Sequence, residues 1–168
     1  LAHTGQRCVL VDCDLRYPFL SFVMSPDARL GLVEIVNGSA AVEHVIWTDP
    51  QSKMSFLPAI GHGPIHHANE IVSSEQMGAL IDRLRQRFDY VVLDLPPIVP
   101  FVDVRSVAHF VDAFVYVVKW GETQRNAAVA ALNAAPSVRE KLVGCVLNKA
   151  DVTKLSQYDP HAESDYYD

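Results

Sequence analysis

Residues 7–18 read RCVLVDCDLRYP and residues 89–97 read DYVVLDLPP. Each stretch sets four apolar residues in succession, Cys8–Val11 and Tyr90–Leu93, and then breaks into aspartate. A run that is apolar at consecutive positions is apolar on both faces, which suits a parallel sheet covered by helices on either side. The carboxylates that close the runs, Asp12, Asp14 and Asp94, are poor core material. They belong at the carboxyl ends of the strands, where open parallel sheets bind their ligands.

Working outward, residues 54–57, 113–118 and 143–147 read as further strands beside 8–13 and 90–95. Helical spacing lies between them. The clearest helix is Glu75 to Phe88, with Met77, Leu80, Ile81, Leu84 and Phe88 on one face and Ser73 and Gln76 at capping-box spacing. Residues 102–111 and 123–135 predict two more helices, and Leu32 to Val36 a short one closed by Asn37-Gly38. Alternation of strand and helix predicts an α/β fold, doubly wound around a mostly parallel sheet with helices on both faces. One domain, residues 1–152, is expected, followed by a flexible tail at 153–168 that is polar, acidic and almost without aliphatics.

The totals narrow the function. A net charge of -6 argues against nucleic acid as a partner, which calls for a basic stripe against phosphates. Cys8, Cys13 and Cys145 fall in apolar strand segments at no metal-ligand spacing. They are expected to be buried thiols in a reducing compartment, hence a cytoplasmic location. No apolar run approaches the ~20 residues of a membrane helix. The opening LAHTGQR lacks the pattern of a signal peptide and reads as a final helical turn ended by a left-handed Gly5, so more chain is expected upstream of Leu1.

A strand that ends in aspartate after four apolar residues is how nucleotide-hydrolysing folds hold Mg²⁺, an ion that takes few protein carboxylates and keeps several waters. Asp94 on one strand with Asp12 or Asp14 on a neighbour would supply that arrangement. Single aspartates at strand ends commonly cap helices or form turns, but three together must be paired or bind a cation. Two other signals carry less. The sequence NKAD at 148–151 matches a guanine-reading motif, yet no DxxG follows the metal-type strand. His62, His66 and His67 lie in a glycine- and proline-rich stretch with no carboxylate or cysteine at ligand spacing, and structural or exposed roles are expected for them. Trp47 and Trp120 read as packing residues near element ends.

With those residues in view, VLVDCDLRYP resembles the Walker A′ motif of the bacterial tyrosine kinases (BY-kinases), cytoplasmic domains of polysaccharide co-polymerases. LGLVEIVNG resembles the glycine-leucine helix that follows it, and HANEIVSSEQMGALIDRLRQRFDYVVLDLPPI the segment through Walker B. FVDVRSVAHFVDAFVYVVKWGET and VGCVLNKAD complete the likeness, and the tail resembles a shortened tyrosine cluster. The resemblance implies a P-loop-type fold, ATP and Mg²⁺ as cofactors, and autophosphorylation on tyrosine in the control of exopolysaccharide or capsule export. It implies that Asp12 and Asp14 position Mg²⁺ and that one of them takes the proton of the attacking tyrosine. It places Asp94 on the metal's water shell, Arg16 near the phosphates or a subunit contact, and Asn148 on the adenine. Tyr158, Tyr166 and Tyr167 would be the phosphate acceptors.

The implied partners are a membrane-embedded co-polymerase or activator segment at the inner face of the cell membrane, further copies of the same chain, and their tyrosine tails. The likeness also has gaps. No glycine-rich GK[ST] loop occurs, so the P-loop strand is expected to be missing ahead of Leu1 and the stretch by itself to be inactive. Leu95 stands where threonine is usual, and the tyrosine cluster is thin. A regulatory or scaffold domain without catalysis, and an ATPase of the partitioning type, are the rival readings.

Overall fold

The computed structural model describes residues 1–59, 65, 67–99 and 101–155, in two compact units, Leu1–Phe110 and Val111–Asp168, each considered by itself. The first unit opens with a single 3₁₀ turn at Ala2–Thr4. Gly5 ends it at φ 86°, in the left-handed region, and its N–H reaches the Ala2 carbonyl at 3.0 Å.

Strand β1 (Cys8–Asp12) follows, then the short helices α1 (Phe19–Met24), α2 (Leu32–Val36) and α3 (Val42–Val45). Strands β2 (Trp47–Thr48) and β3 (Ser55–Leu57) form a hairpin; α4 (Ala68–Val72), α5 (Glu75–Arg87), β4 (Tyr90–Asp94) and α6 (Asp103–Ser106) complete the unit. The sheet runs β2-β3-β1-β4, with β1 parallel to both β3 and β4 and β2 antiparallel to β3. The hairpin was not expected. A two-residue strand leaves no alternation to read, and its turn rests on Lys53 held at φ 61°.

One face of β1 carries the core. Val9 and Val11 are fully buried with Leu57, Leu32 and Val72, and α5 lays Met77, Leu80, Ile81 and Leu84 over them. Helix α5 starts at Glu75 as expected and ends one residue early at Arg87, but its cap is not Ser73: the Oγ of Ser74 accepts the Met77 N–H at 3.1 Å, while Ser73 closes α4. Helix α2 keeps its expected bounds, and the Glu34 carboxylate returns to the Gly31 N–H at 2.7 Å. The helix expected at 102–111 shrinks to the four residues of α6. Val102, Val104 and Val107 are β-branched and disfavour a longer helix.

The second unit pairs β5 (Phe114–Lys119) with β6 (Leu142–Asn148) in parallel, joined through α7 (Arg125–Asn133) and α8 (Pro136–Arg139), with α9 (Val152–Leu155) after it. Its strands are apolar yet open to solvent: Val115, Val117, Val146 and Leu147 are all about half exposed or more, and Val143 is 71% exposed. Cys145 shares that exposure, which corrects the expectation of three buried thiols; Cys8 and Cys13 are buried as read, and all three are free. The expected parallel strands therefore form two hydrogen-bonded sheets. β4 is an edge strand of the first and β5 belongs to the two-stranded second. Among the described residues no helix is long and apolar enough to cross a membrane.

Candidate functional site

Asp12 and Asp94 are direct partners in the β1–β4 ladder, the last residues of two adjacent parallel strands. The expected convergence of carboxylates is therefore present, and Asp14 joins it one turn beyond β1. The ladder closes with the Cys13 N–H on the Asp94 carbonyl at 2.8 Å.

The three carboxylates do different things. Asp12 is fully buried. Its Oδ1 accepts the Asp14 N–H at 3.1 Å, and its Oδ2 accepts the Ser21 N–H at 2.8 Å and the Ser21 hydroxyl at 2.6 Å. That hydroxyl in turn accepts the Ala59 N–H at 2.8 Å. Asp12 thus ties the chain beyond β1 to the start of α1 and, through Ser21, to the segment after β3. Asp14 is half-buried and uses one oxygen, Oδ1, to accept the Arg16 and Tyr17 N–H groups. This is the local turn that an aspartate makes readily. The carboxylate of Asp94 has no hydrogen-bond donor among the described residues and keeps contact with solvent.

The electrostatics follow from this packing. Burial is the main cause that pushes the Asp12 carboxyl up from its usual range, opposed by the Ser21 and Asp14 donors. Asp94 is also pushed up, first by desolvation at the strand end and then by the negative charges of Asp12 and Asp14. Cys13, sealed between them, is held above the ordinary thiol range by burial and by the same two aspartates, Asp12 and Asp94. It is an inert thiol. The site is an anionic cluster at the ends of β1 and β4.

Among the described residues no group of three or more His, Cys, Asp or Glu forms a ready-made metal cage. Mg²⁺ does not require one, since it is commonly held by one or two carboxylates with waters and substrate phosphates filling the other positions. The free oxygens of Asp14 and Asp94 fit that description, and unrelieved repulsion between their charges is what a divalent cation removes.

Arg16 is engaged elsewhere. Its Nε and Nη2 lie 3.1 and 3.3 Å from the two carboxylate oxygens of the buried Asp103. Asn148 ends β6 in the second unit, where its Oδ1 accepts the Lys149 N–H at 2.9 Å and Lys149 sits at φ 57°. Tyr158, Tyr166 and Tyr167 lie outside the described residues, as do His62 and His66. His67 is exposed and lies beside Glu70 at 3.5 Å. Trp47 packs edge-on against Phe56, as its reading expected. Sequence reasoning missed Ser21 and Asp103. Asp103 lies in a stretch read only as a helix and Ser21 in one with no assigned element, and only the fold shows what each faces.

Adjacent parallel strands that both end in aspartate, within an α/β chain, are compatible with a P-loop-type fold. The comparisons agree. The sequence is 36% identical over 168 residues to the succinoglycan biosynthesis transport protein ExoP of Rhizobium meliloti (strain 1021), covering 99% of this chain and 21% of ExoP. It is 26% identical to the tyrosine-protein kinase YwqD of Bacillus subtilis (strain 168), over 99% of this chain and 69% of YwqD. The structure matches the VpsO kinase domain with a TM-score of 0.78 at 25% identity, over 89% of this chain and 73% of that one. No protein-family model matches. Over nearly its whole length the chain is similar to bacterial tyrosine kinases, and it spans about a fifth of ExoP.

Proposed function

We propose that this chain is the acidic, metal-binding part of an ATP-dependent protein-tyrosine autokinase that acts in exopolysaccharide or capsule biosynthesis. The observation that carries the proposal is the register of Asp12 against Asp94 at the carboxyl ends of β1 and β4. Bound Mg²⁺ and ATP would supply a phosphoryl group whose charge the metal neutralises. The protein's part is then positioning and electrostatics. Asp94 and the free oxygen of Asp14 hold the cation and its waters, while Asp12, saturated by Ser21 and the Asp14 amide, keeps the loop in place. For the proton of the attacking tyrosine, Asp14 is favoured over Asp12, because its second oxygen accepts no hydrogen bond among the described residues.

The edge of β4 supports a further part of this reading. Tyr90 and Val92 are apolar, on an edge strand, and each 44% exposed. Long apolar edges are normally paired or covered. A parallel apolar strand that pairs with β4 and leads into a phosphate-binding loop would complete the site, with Asn148 on the adenine. Tyr158, Tyr166 and Tyr167 of a neighbouring copy would be acceptors, and a membrane-embedded co-polymerase segment at the inner face of the membrane would be the activating partner.

The test is phosphotyrosine formation with Mg·ATP by the full gene product, as wild type and with Asp94→Asn. The reading expects labelling of the wild type and at least a hundredfold loss in the variant, the scale on which charge-stabilising groups act. Labelling that survives Asp94→Asn refutes the assigned site. ATP hydrolysis without phosphotyrosine would instead mark an ATPase of the partitioning type.

A further inference from the structure

Arg16 makes two kinds of contact that together suggest a role of their own. Its backbone N–H donates to Asp14 Oδ1 at 3.2 Å, beside the Tyr17 N–H at 3.0 Å. Its side chain reaches across to the start of α6 and grips Asp103 with both Nε and Nη2, at 3.1 and 3.3 Å. Asp103 is 2% exposed, and the Phe101 ring packs 4.9 Å from the guanidinium carbon. A planar, forked, desolvated pair of this kind fixes orientation as well as charge. The first helix turn that holds Asp103 is itself tied down, since the Ser106 hydroxyl donates to Asn69 Oδ1 of α4 at 2.6 Å. One residue therefore holds Asp14 through its backbone. Through its side chain it holds the first residue of α6, the helix that follows β4.

We propose that Arg16 and Asp103 form a positioning pair that sets Asp14 opposite Asp94 for cation binding, and that Arg16 serves this clamp in place of direct phosphate contact. The inference rests on the proposed metal role of the acidic site. The pair touches neither metal nor nucleotide and acts through Asp14.

Electrostatics alone makes the opposite prediction, which gives the test its power. Arg16 is a cation near an anionic cluster, so deleting it should tighten binding of another cation, and Arg16→Lys should leave it unchanged. The clamp predicts weaker binding in both variants, because a lysine ammonium cannot reproduce the fork. The experiment measures Mn²⁺ affinity of the 168-residue chain by the loss of the free-ion paramagnetic signal, with Mn²⁺ as the probe for the Mg²⁺ site. It compares wild type, Arg16→Ala, Arg16→Lys and Asp103→Asn, each first checked for a cooperative urea transition.

The expected result is a loss of roughly 10–100-fold in all three variants, the range for groups that orient metal ligands from behind. Unchanged affinity in Arg16→Lys together with tighter binding in Arg16→Ala overturns the proposal. Amide hydrogen exchange at Arg16 and Tyr17, whose N–H groups sit on Asp14, gives an independent readout. Asp103→Asn should speed it roughly tenfold or more, in keeping with loss of a charge-assisted pair. Should wild type bind no Mn²⁺, the metal reading fails. The exchange data then decide the clamp alone, and unaltered protection at Arg16 and Tyr17 in Asp103→Asn overturns it.

Discussion

Replacing Asp94 with asparagine should stabilise the metal-free protein. The two strand-end aspartates are register partners on strands roughly 5 Å apart, and that spacing serves as the scale for the separation of their charges. Two unit charges at that distance repel by ~3 kcal/mol at an effective dielectric of about 20 and by ~1 kcal/mol in water. Because Asp94 retains contact with solvent, the lower figure governs, and Asp14 adds a little. Asparagine removes the charge at nearly constant shape, and it breaks no hydrogen bond to the described residues. A gain of about 1 kcal/mol raises Tm by roughly 2–4 °C in a chain of this size.

The pH dependence has a definite sign. The folded-state carboxyl of Asp94 lies above its ordinary value. The unfolded chain therefore releases that proton first, and rising pH favours unfolding through the interval between the two values. The advantage of Asp94→Asn should then be full at neutral pH and fade below about pH 4, where the carboxyl is protonated in both states. The assay is thermal unfolding in EDTA across pH 3–8, repeated in Mg²⁺. At ten times its Kd the ion should stabilise wild type by about 1.4 kcal/mol and the variant far less. A lower Tm for Asp94→Asn in EDTA at neutral pH would refute the reasoning, because it would mean that the charge is stabilised by a partner.

Three further outcomes follow from the same geometry. Ser21→Ala removes the donor to a buried carboxylate and the acceptor of the buried Ala59 N–H, and should cost about 2–4 kcal/mol in urea unfolding. Loss below ~1 kcal/mol would show that water replaces both bonds. The Arg7 guanidinium holds the Asp89 carboxyl down at about 2, so the stability it lends is present above the ordinary carboxylate range and disappears as pH falls toward 2. Carboxyl-carbon NMR should show that titration, and Arg7→Ala should raise it only part of the way to the ordinary carboxylate value, because the N–H of residue 7 still donates to Asp89. A thiol reagent should modify Cys145 in the native protein and leave Cys8 and Cys13 untouched until denaturant is added; rapid native reaction at all three would contradict the burial of β1.

Much of the fold was legible because β1 and β4 are continuous apolar runs and α5 carries a strong helical period. The consecutive apolar residues of Cys8–Val11 and Tyr90–Leu93 dictated parallel neighbours, and their final aspartates fall together in register at the strand ends. The site was legible down to its three carboxylates, but not their division of labour. Nothing local separates Asp12 from Asp14. Asp12 becomes the buried anchor because α1 returns its first turn to β1, which brings Ser21 nine positions away onto Oδ2. Arg16 was open to assignment as a phosphate contact for the same reason, since its partner is 87 residues distant. Strand β2 escaped because its two residues are too few to show a pattern.

The misreading of Cys145 has a deeper cause, shared with the exposed valines of β5 and β6. Residues 143–147 are apolar on both faces, and in a parallel sheet such a strand is buried on both faces. Here the sequence is that of an interior strand while the surface is that of an edge. The same mismatch recurs at Tyr90 and Val92 of β4 in the other unit. Strand composition reflects the environment a strand is selected to occupy, and a run such as VVLD gains nothing from being apolar toward water. Two independent mismatches of this kind are expected if each sheet is completed by further chain, as the proposed phosphate-binding strand would do for β4. Adding that strand should bury Val92 and raise the protection of β4 amides together. If the full gene product leaves Val92 as exposed as it is here, the composition of β4 needs another explanation and the proposed strand has no place to pair.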